Sequence, residues 1–245
     1  MVIVPVAYLA LFFRTGFFDQ IGSHTLGEMR AFTIFLPASY EDEPERRYPV
    51  IYSLDGEKTR HGSLMAANAR MLAALADTPE VILVAVHTHG LRTRDYAPDR
   101  GASAFTKFIR SELMPYIDKS FRTSGRNAIS GHSYGGLYAL YAFTDHPGLF
   151  DAHFAYVPSV FHYTQILERM KKRLSGAVAP KTFLFLVSGA ESQEKFWDGF
   201  EGLLSALNKY PNQNVDWKTE HFPLPHPLSM VPGQVAAMMI LEQQD

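Results

Sequence analysis

The sequence predicts an α/β fold, a mostly parallel central sheet with helices on both faces. Short unbroken apolar runs at residues 49–54 (PVIYSL) and 81–86 (VILVAV) have the length and composition of strands covered on both sides. Segments with apolar residues at helical spacing lie between such runs. From Met29 onward the two kinds of segment alternate, the order that winds a parallel sheet with short crossovers.

Taken in order, residues 30–36 are β-branched and aromatic and end at Pro37, as an outer strand would. The charged stretch 41–47 reads as a solvated loop, and the strand 49–54 closes on Asp55-Gly56. Residues 63–76 are rich in Ala, Leu and Met without Gly or Pro, which predicts a helix leading to the strand 81–86. A helix follows over 105–121 despite Pro115. Then come strand 127–130, helix 137–144, strand 153–157, helix 163–174, strand 182–187, helix 196–207, the alternating strand 215–222 and a closing helix at 234–241. No repeat, low-complexity tract or linker divides the chain, so residues 23–245 read as one domain and 1–22 as an N-terminal apolar segment of uncertain role.

Composition narrows the classes. Of the 245 residues 47% are apolar and 20% charged, proportions of a globule with a large core. A formal charge of −2 provides no positive field for a phosphate backbone, which argues against nucleic acid as a partner. The absence of cysteine excludes a disulfide framework, a thiolate metal site and a cysteine nucleophile. It does not choose between a cytoplasmic and a periplasmic or secreted protein. The run MVIVPVAYLALFF at residues 1–13 is shorter than the roughly 20 residues of a bilayer span, and it lacks both a preceding basic stretch and an A-x-A cleavage site. A strand or cap on the domain is the preferred reading of it, over a remnant signal or a membrane contact.

The chemistry is concentrated in Gly131-His132-Ser133-Tyr134-Gly135, at the junction of a predicted strand and a predicted helix. A serine held on so tight a turn adopts a strained backbone, and the residues two before and two after must be very small. The turn lifts the hydroxyl clear of the sheet and aims a helix N-terminus at it, so the Tyr134 N–H is the first candidate donor to an oxyanion. Ser133 is therefore the candidate nucleophile.

A serine needs a base, and on such a scaffold the acid and then the histidine follow it along the chain. His146, His153 and His162 come too early, which leaves His221 and His226. His221 lies in the alternating strand, whereas His226 lies in the Pro-rich loop 223–227, where catalytic groups are displayed; His226 is preferred. The acid belongs after strand 182–187. Glu191 is preferred for its place at the strand end, with Glu194 and Asp198 as alternatives. A second oxyanion N–H is expected from Gly56 or Glu57, Gly56 allowing the backbone to approach a ligand. His87 and His89 share a strand face but have no third ligand at a matching spacing, so no metal is expected. Residues 92–95 (RTRD) read as a loop locked by charge-assisted hydrogen bonds, with a role toward an anionic substrate as the lesser alternative.

These pieces together resemble the Putative esterase family of α/β-hydrolases, which includes esterase D and the siderophore esterases. The likeness runs from about Ser23 to the last helix. It rests on residues 30–37 (RAFTIFLP), 48–56, 92–98, 112–116, the 131–136 turn, and Phe150 with Pro158-Ser159. The resemblance implies an α/β-hydrolase fold and a triad of Ser133, an acid after the seventh strand, and His226. Where relatives often have His-Gly-Ser-Val, this chain has His226-Pro227-Leu228-Ser229, which changes the loop's backbone freedom. It also implies a small-molecule ester substrate and no cofactor. The expected activity is hydrolysis of short-acyl carboxylic esters through an acyl-enzyme, in an open site with little sequence for a lid. The alternatives are a siderophore-ester or thioester hydrolase, an acyltransferase, or a non-catalytic binding protein on the same fold. Oligomeric state is not read from the sequence.

Overall fold

A computed structural model describes residues 16–57, 65–66, 68–71, 73, 78–176, 180–190, 194–226 and 228–242. The strands are β1 (Phe17–Ser23), β2 (Glu28–Phe35), β3 (Tyr48–Ser53), β4 (Ile82–Val86), β5 (Thr123–His132), β6 (Ala152–Tyr156), β7 (Thr182–Gly189) and β8 (Val215–Phe222). They form one eight-stranded sheet in the order β1-β2-β4-β3-β5-β6-β7-β8. β1–β2 and β2–β4 pair antiparallel, and every pair from β4 to β8 is parallel.

Strand alternation sorts the core into two layers. Ile82, Val84 and Val86 of β4 and Leu184 and Leu186 of β7 face one apolar cluster. Val81, Leu83, Ala85, Phe183, Phe185 and Val187 face the other. The first layer is covered by α1 (Arg92–Tyr96), α2 (Ala102–Phe108), α3 (Met114–Ser120), α4 (Tyr134–Asp145), α5 (Ile166–Ser175) and α6 (Glu194–Lys209). The second is covered by helical residues at 65–66 and 68–71 and by α7 (Met230–Glu242). Helices on both faces explain why the central strands read as continuous apolar runs.

Three expectations change. β2 is not an outer strand: β1 pairs along its whole length, Phe17 opposite Ile34 through Ser23 opposite Glu28, so residues 17–22 belong to the sheet. The helix expected over 105–121 is interrupted, with α2 and α3 joined through a wider turn at Ile109–Leu113. Pro115 has no N–H and its ring crowds the carbonyl four residues back, at Ser111, so the backbone widens there. Residues 92–95 form the start of α1 and not a loop, although the charge locking expected of them is present: Arg94 bonds Glu28 and Asp95, and buried Arg30 lies 2.7 Å from Asp95.

The chain runs outward from β3 to β4 and then returns to β5 on the other side of β3. Such a reversal opens a crevice at the carboxyl ends of the strands. The loop after β3 and the turn after β5 both end there.

Candidate active site

Ser133 occupies the single residue between β5 and α4, with φ 58° and ψ −111°. That conformation costs on the order of 1–3 kcal/mol for a residue with a Cβ and persists only where neighbours enforce it. Here they do. The Ser133 N–H donates to the Tyr156 carbonyl at 2.8 Å, and the Ser159 N–H donates to the Ser133 carbonyl at 3.1 Å. A Cβ on Gly131 would stand 2.3 Å from the carbonyl carbon and oxygen of Gly135, so only glycine fits. Position 135 is less strict than the sequence reading held: a Cβ there would meet Asp55 Oδ2 and Leu54 Cβ at 3.5 Å, an ordinary contact. Gly136 is the tighter of the two, with Pro158 Cα and the Tyr156 carbonyl oxygen 3.1 Å from its would-be Cβ. Ser133 is half-buried, so its hydroxyl is braced and still reachable. Tyr134 opens α4, and the N–H groups of a first helical turn have no carbonyl partner within the helix.

The loop after β3 packs against this turn. Arg92 Nε lies 2.8 Å from both carboxylate oxygens of Asp55, and its Nη2 donates to the His132 carbonyl at 2.8 Å. One guanidinium therefore ties the Asp55-Gly56-Glu57 turn to the residue before Ser133. The Asp55 N–H donates to the hydroxyl of buried Tyr96 at 3.1 Å. Gly56 has a different reason from the one expected. Its N–H donates to the Val86 carbonyl at 2.9 Å, and a Cβ would stand 2.6 Å from the Ala85 carbonyl carbon. Glycine is thus needed for close approach to β4, not to a ligand, and of Gly56 and Glu57 it is Glu57 whose N–H stays a candidate, although it bonds its own carboxylate. The Glu57 carboxylate accepts the Thr88 N–H at 3.0 Å and also bonds the Thr88 hydroxyl.

His226 is brought to the elbow by its neighbour. His132 Nε2 lies 2.8 Å from the His226 carbonyl oxygen, and the two imidazole centroids are 4.5 Å apart. Ser229 adds a hydroxyl bond to the same carbonyl at 3.1 Å. His221 sits at the end of β8, its Nδ1 3.0 Å from Ser188 Oγ and its ring 5.4 Å from Trp197. Glu191 lies outside the described residues. The residue before it, Ala190, donates its N–H to the Leu224 carbonyl at 2.9 Å, so the chain leaving β7 lies against the loop that carries His226. Glu194 and Asp198 are both exposed on α6.

Beside the elbow stands a wall of rings and cations. Tyr134 and His162 have centroids 4.8 Å apart, Phe161 and Phe196 meet edge to face at 4.6 Å, and Phe196 lies 5.0 Å from His226. Lys195 Nζ stands 4.2 Å over the Phe161 ring and the Arg92 guanidinium 5.7 Å over Tyr134. Burial, then the charges of Lys195 and Arg92, lower the His162 imidazole pKa below its usual value. Tyr134, Arg92 and His226 stand out in the sequence for other reasons, but the wall they form with Phe161, His162, Lys195 and Phe196 does not, since its members come from separate elements.

His87 Nε2 pairs with Thr33 Oγ1 at 3.0 Å, and its ring is 5.8 Å from that of His89. Among the described residues no three His, Asp or Glu side chains converge as ligands for a metal ion.

The profile of the family described as Putative esterase matches residues 23–220. The siderophore enterobactin esterase of Emericella nidulans is 42% identical over 81 residues, 31% of this chain and 27% of that protein. The ferri-bacillibactin esterase BesA of Bacillus subtilis is 29% identical over 160 residues, 54% of this chain and 55% of that protein. The chain thus spans about half or less of the length of these curated relatives. Among solved structures, an IroE-like serine hydrolase from Shewanella oneidensis superposes with a TM-score of 0.86 at 26% identity, covering 94% of this chain and 80% of the other.

Proposed function

Since this chain belongs to the Putative esterase family and has the α/β-hydrolase fold, we propose that it is a serine hydrolase of carboxylic esters and that its substrates are siderophore esters. The observation that carries the reading is Ser133 held in a strained conformation between β5 and α4 with its hydroxyl reachable. Strain of this kind is maintained where it positions a reacting group.

In the proposed reaction His226 takes the Ser133 proton as Oγ bonds to the ester carbonyl carbon. The oxyanion accepts the Tyr134 N–H and, in place of the Glu57 carboxylate, the Glu57 N–H. When the tetrahedral adduct collapses, His226 gives its proton to the leaving alcohol; water then attacks the acyl-enzyme with His226 as base, and the acid and free Ser133 are released. Glu191 is the proposed carboxylate partner of His226. His132 contributes by fixing the His226 carbonyl, which sets where the imidazole starts.

The preference for siderophore esters over short alkyl esters rests on the ring-and-cation wall of Tyr134, Phe161, His162, Phe196, Lys195 and Arg92. Flat faces beside cations suit a planar acyl group with anionic oxygens, and iron chelators present such oxygens. The names of relatives for enterobactin and ferri-bacillibactin support the same class. The short chain between β6 and α5 favours the second reading, an open site for short acyl groups.

A panel of cyclic siderophore triesters, with and without iron, beside p-nitrophenyl acetate and butyrate decides between them. A kcat/KM at least about 10²-fold higher on a siderophore supports the proposal; the reverse order makes the protein a short-acyl carboxylesterase. No turnover of any ester, together with no labelling by a fluorophosphonate, would make it a binding protein on this fold.

A further inference from the structure

A second serine touches the proposed nucleophile. Ser159 Oγ lies 2.9 Å from Ser133 Oγ, and Ser159 is buried, 1% exposed. Its N–H donates to the Ser133 carbonyl while Ser133 donates to Tyr156, so the stretch from Tyr156 to Ser159 meets Ser133 at three points. The chain takes an unfavourable path to do so. Val157, two residues earlier, has φ 43°, a left-handed conformation that a β-branched residue rarely adopts. It is held there by its N–H bond to the Val187 carbonyl at 2.8 Å. Strain next to a reacting hydroxyl, with a second hydroxyl as its outcome, calls for a functional reason.

The geometry points to Ser159 as a positioning residue for the esterase reaction: its hydroxyl donates to Ser133 Oγ, fixes that oxygen's rotamer and leaves the Ser133 proton directed to the base. The proton count requires this direction. Ser133 has one proton; if it were donated to Ser159 it would be turned away from His226. With Ser159 as donor, the Ser133 proton passes to His226 during attack and Ser159 keeps its own throughout. Its bond to Oγ is strongest when Oγ carries negative charge, during attack and again when Oγ is expelled in deacylation. It is weakest in the acyl-enzyme, where Oγ is a poorly basic ester oxygen. An interaction stronger in the transition states than in the ground states raises kcat and leaves KM little changed.

This inference rests on Ser133 being the nucleophile, and the test separates the two. The second-order rate of inactivation by a fluorophosphonate is measured with kcat, KM and Tm for wild type, Ser133→Ala, Ser159→Ala and Ser159→Thr. A hydrogen bond to a charged oxygen predicts inactivation and kcat about 10- to 100-fold slower in Ser159→Ala, with KM and Tm close to wild type. Ser159→Thr, which restores a hydroxyl, should recover most of the rate. A wild-type inactivation rate in Ser159→Ala overturns the inference while leaving the nucleophile intact. So does a loss that Ser159→Thr fails to recover and that moves with KM and Tm. A wild type that is not modified at Ser133, or a fully active Ser133→Ala, overturns the nucleophile itself and this role with it.

Discussion

Arg92 Nε lies 2.8 Å from each of the two carboxylate oxygens of Asp55, and this contact joins the start of α1 to the loop after β3, beside the candidate nucleophile. The side chains are 21% and 3% exposed, so the pair is only partly screened. Removing the guanidinium leaves a largely buried carboxylate without it and also frees the His132 carbonyl. Arg92→Ala should therefore cost about 2–3 kcal/mol of stability. It should lower kcat by roughly 10- to 100-fold, because the oxyanion loop and the elbow lose their common anchor. Arg92→Lys should recover little, since an ammonium does not reach three acceptors in the same plane. Thermal unfolding and ester kinetics on the two variants check this; an Arg92→Ala enzyme with wild-type kcat would show that the tie is structural only.

The choice of base is tested by a pair of histidines. His226→Ala should reduce kcat nearly as far as loss of Ser133, and combining the two should cost little more, since members of one catalytic unit are strongly non-additive. His221→Ala removes only the bond to Ser188 and the contact with Trp197, so it should act as a modest stability change. Steady-state kinetics on one ester substrate decides: a large loss in His221→Ala with a mild one in His226→Ala would move the base to His221.

The turn itself makes a steric prediction that separates two glycines. In Gly131→Ala the new Cβ falls 2.3 Å from Gly135 backbone, so the elbow must open. Overpacking of this kind costs about 1–3 kcal/mol or more, and each kcal/mol lowers Tm by about 2–4 °C in a domain of this size. Activity should fall with it. Gly135→Ala meets only ordinary contacts at 3.5 Å and should remain folded with Tm within a few degrees of wild type. Equal Tm losses in the two variants, measured by thermal unfolding, would contradict the geometry.

The turn that carries Ser133 was legible in the sequence because its strictest demand is local. Gly131 must lack a Cβ for reasons within five residues of chain, and a strand buried on both faces advertises itself as an apolar run. What was missed depends on distance. β1 carries Asp19, Gln20, Gly22 and Ser23 among its apolar residues and sits at an edge, so it has no period to read, and with it hidden β2 looked like the outer strand. Gly56 was assigned to ligand approach because nothing in the sequence says that β4 passes 2.6 Å from its missing Cβ. The Arg92–Asp55 contact spans 37 residues, and the charges of residues 92–95 announced a lock without naming what it fastens. Ser159 was visible only as part of a family likeness; its contact with Ser133 exists because β6 lies beside β5 in the sheet.

Stability should depend on pH through His153. Burial, above all other causes, pushes this imidazole down to about 3, its ring enclosed by Phe143 and Phe150 and its Nδ1 3.2 Å from Thr182 Oγ1. The folded protein keeps it neutral, while the unfolded chain takes up a proton near the ordinary value of about 6.5. The unfolded state therefore binds more protons as pH falls below that value, and stability is lost from about pH 6.5 downward, approaching about 1.4 kcal/mol per pH unit for this group. His87 and His146, also lowered mainly by burial, act in the same direction. Urea unfolding between pH 7 and pH 5 should show the decline, with a shallower slope in His153→Gln. A stability that rises on acidification, or a slope unchanged by the substitution, would contradict the account.

The central claim, that Ser133 carries the acyl group, is tested most directly by trapping the intermediate. Turnover of a slowly deacylated aromatic ester, quenched with acid and followed by peptide mass mapping, should show the acyl mass on the peptide that contains Ser133. The same experiment on Ser133→Ala should show no adduct, in a folded protein whose kcat is lowered by roughly 10³-fold or more. An adduct on another residue, or near-normal turnover by Ser133→Ala, would contradict it.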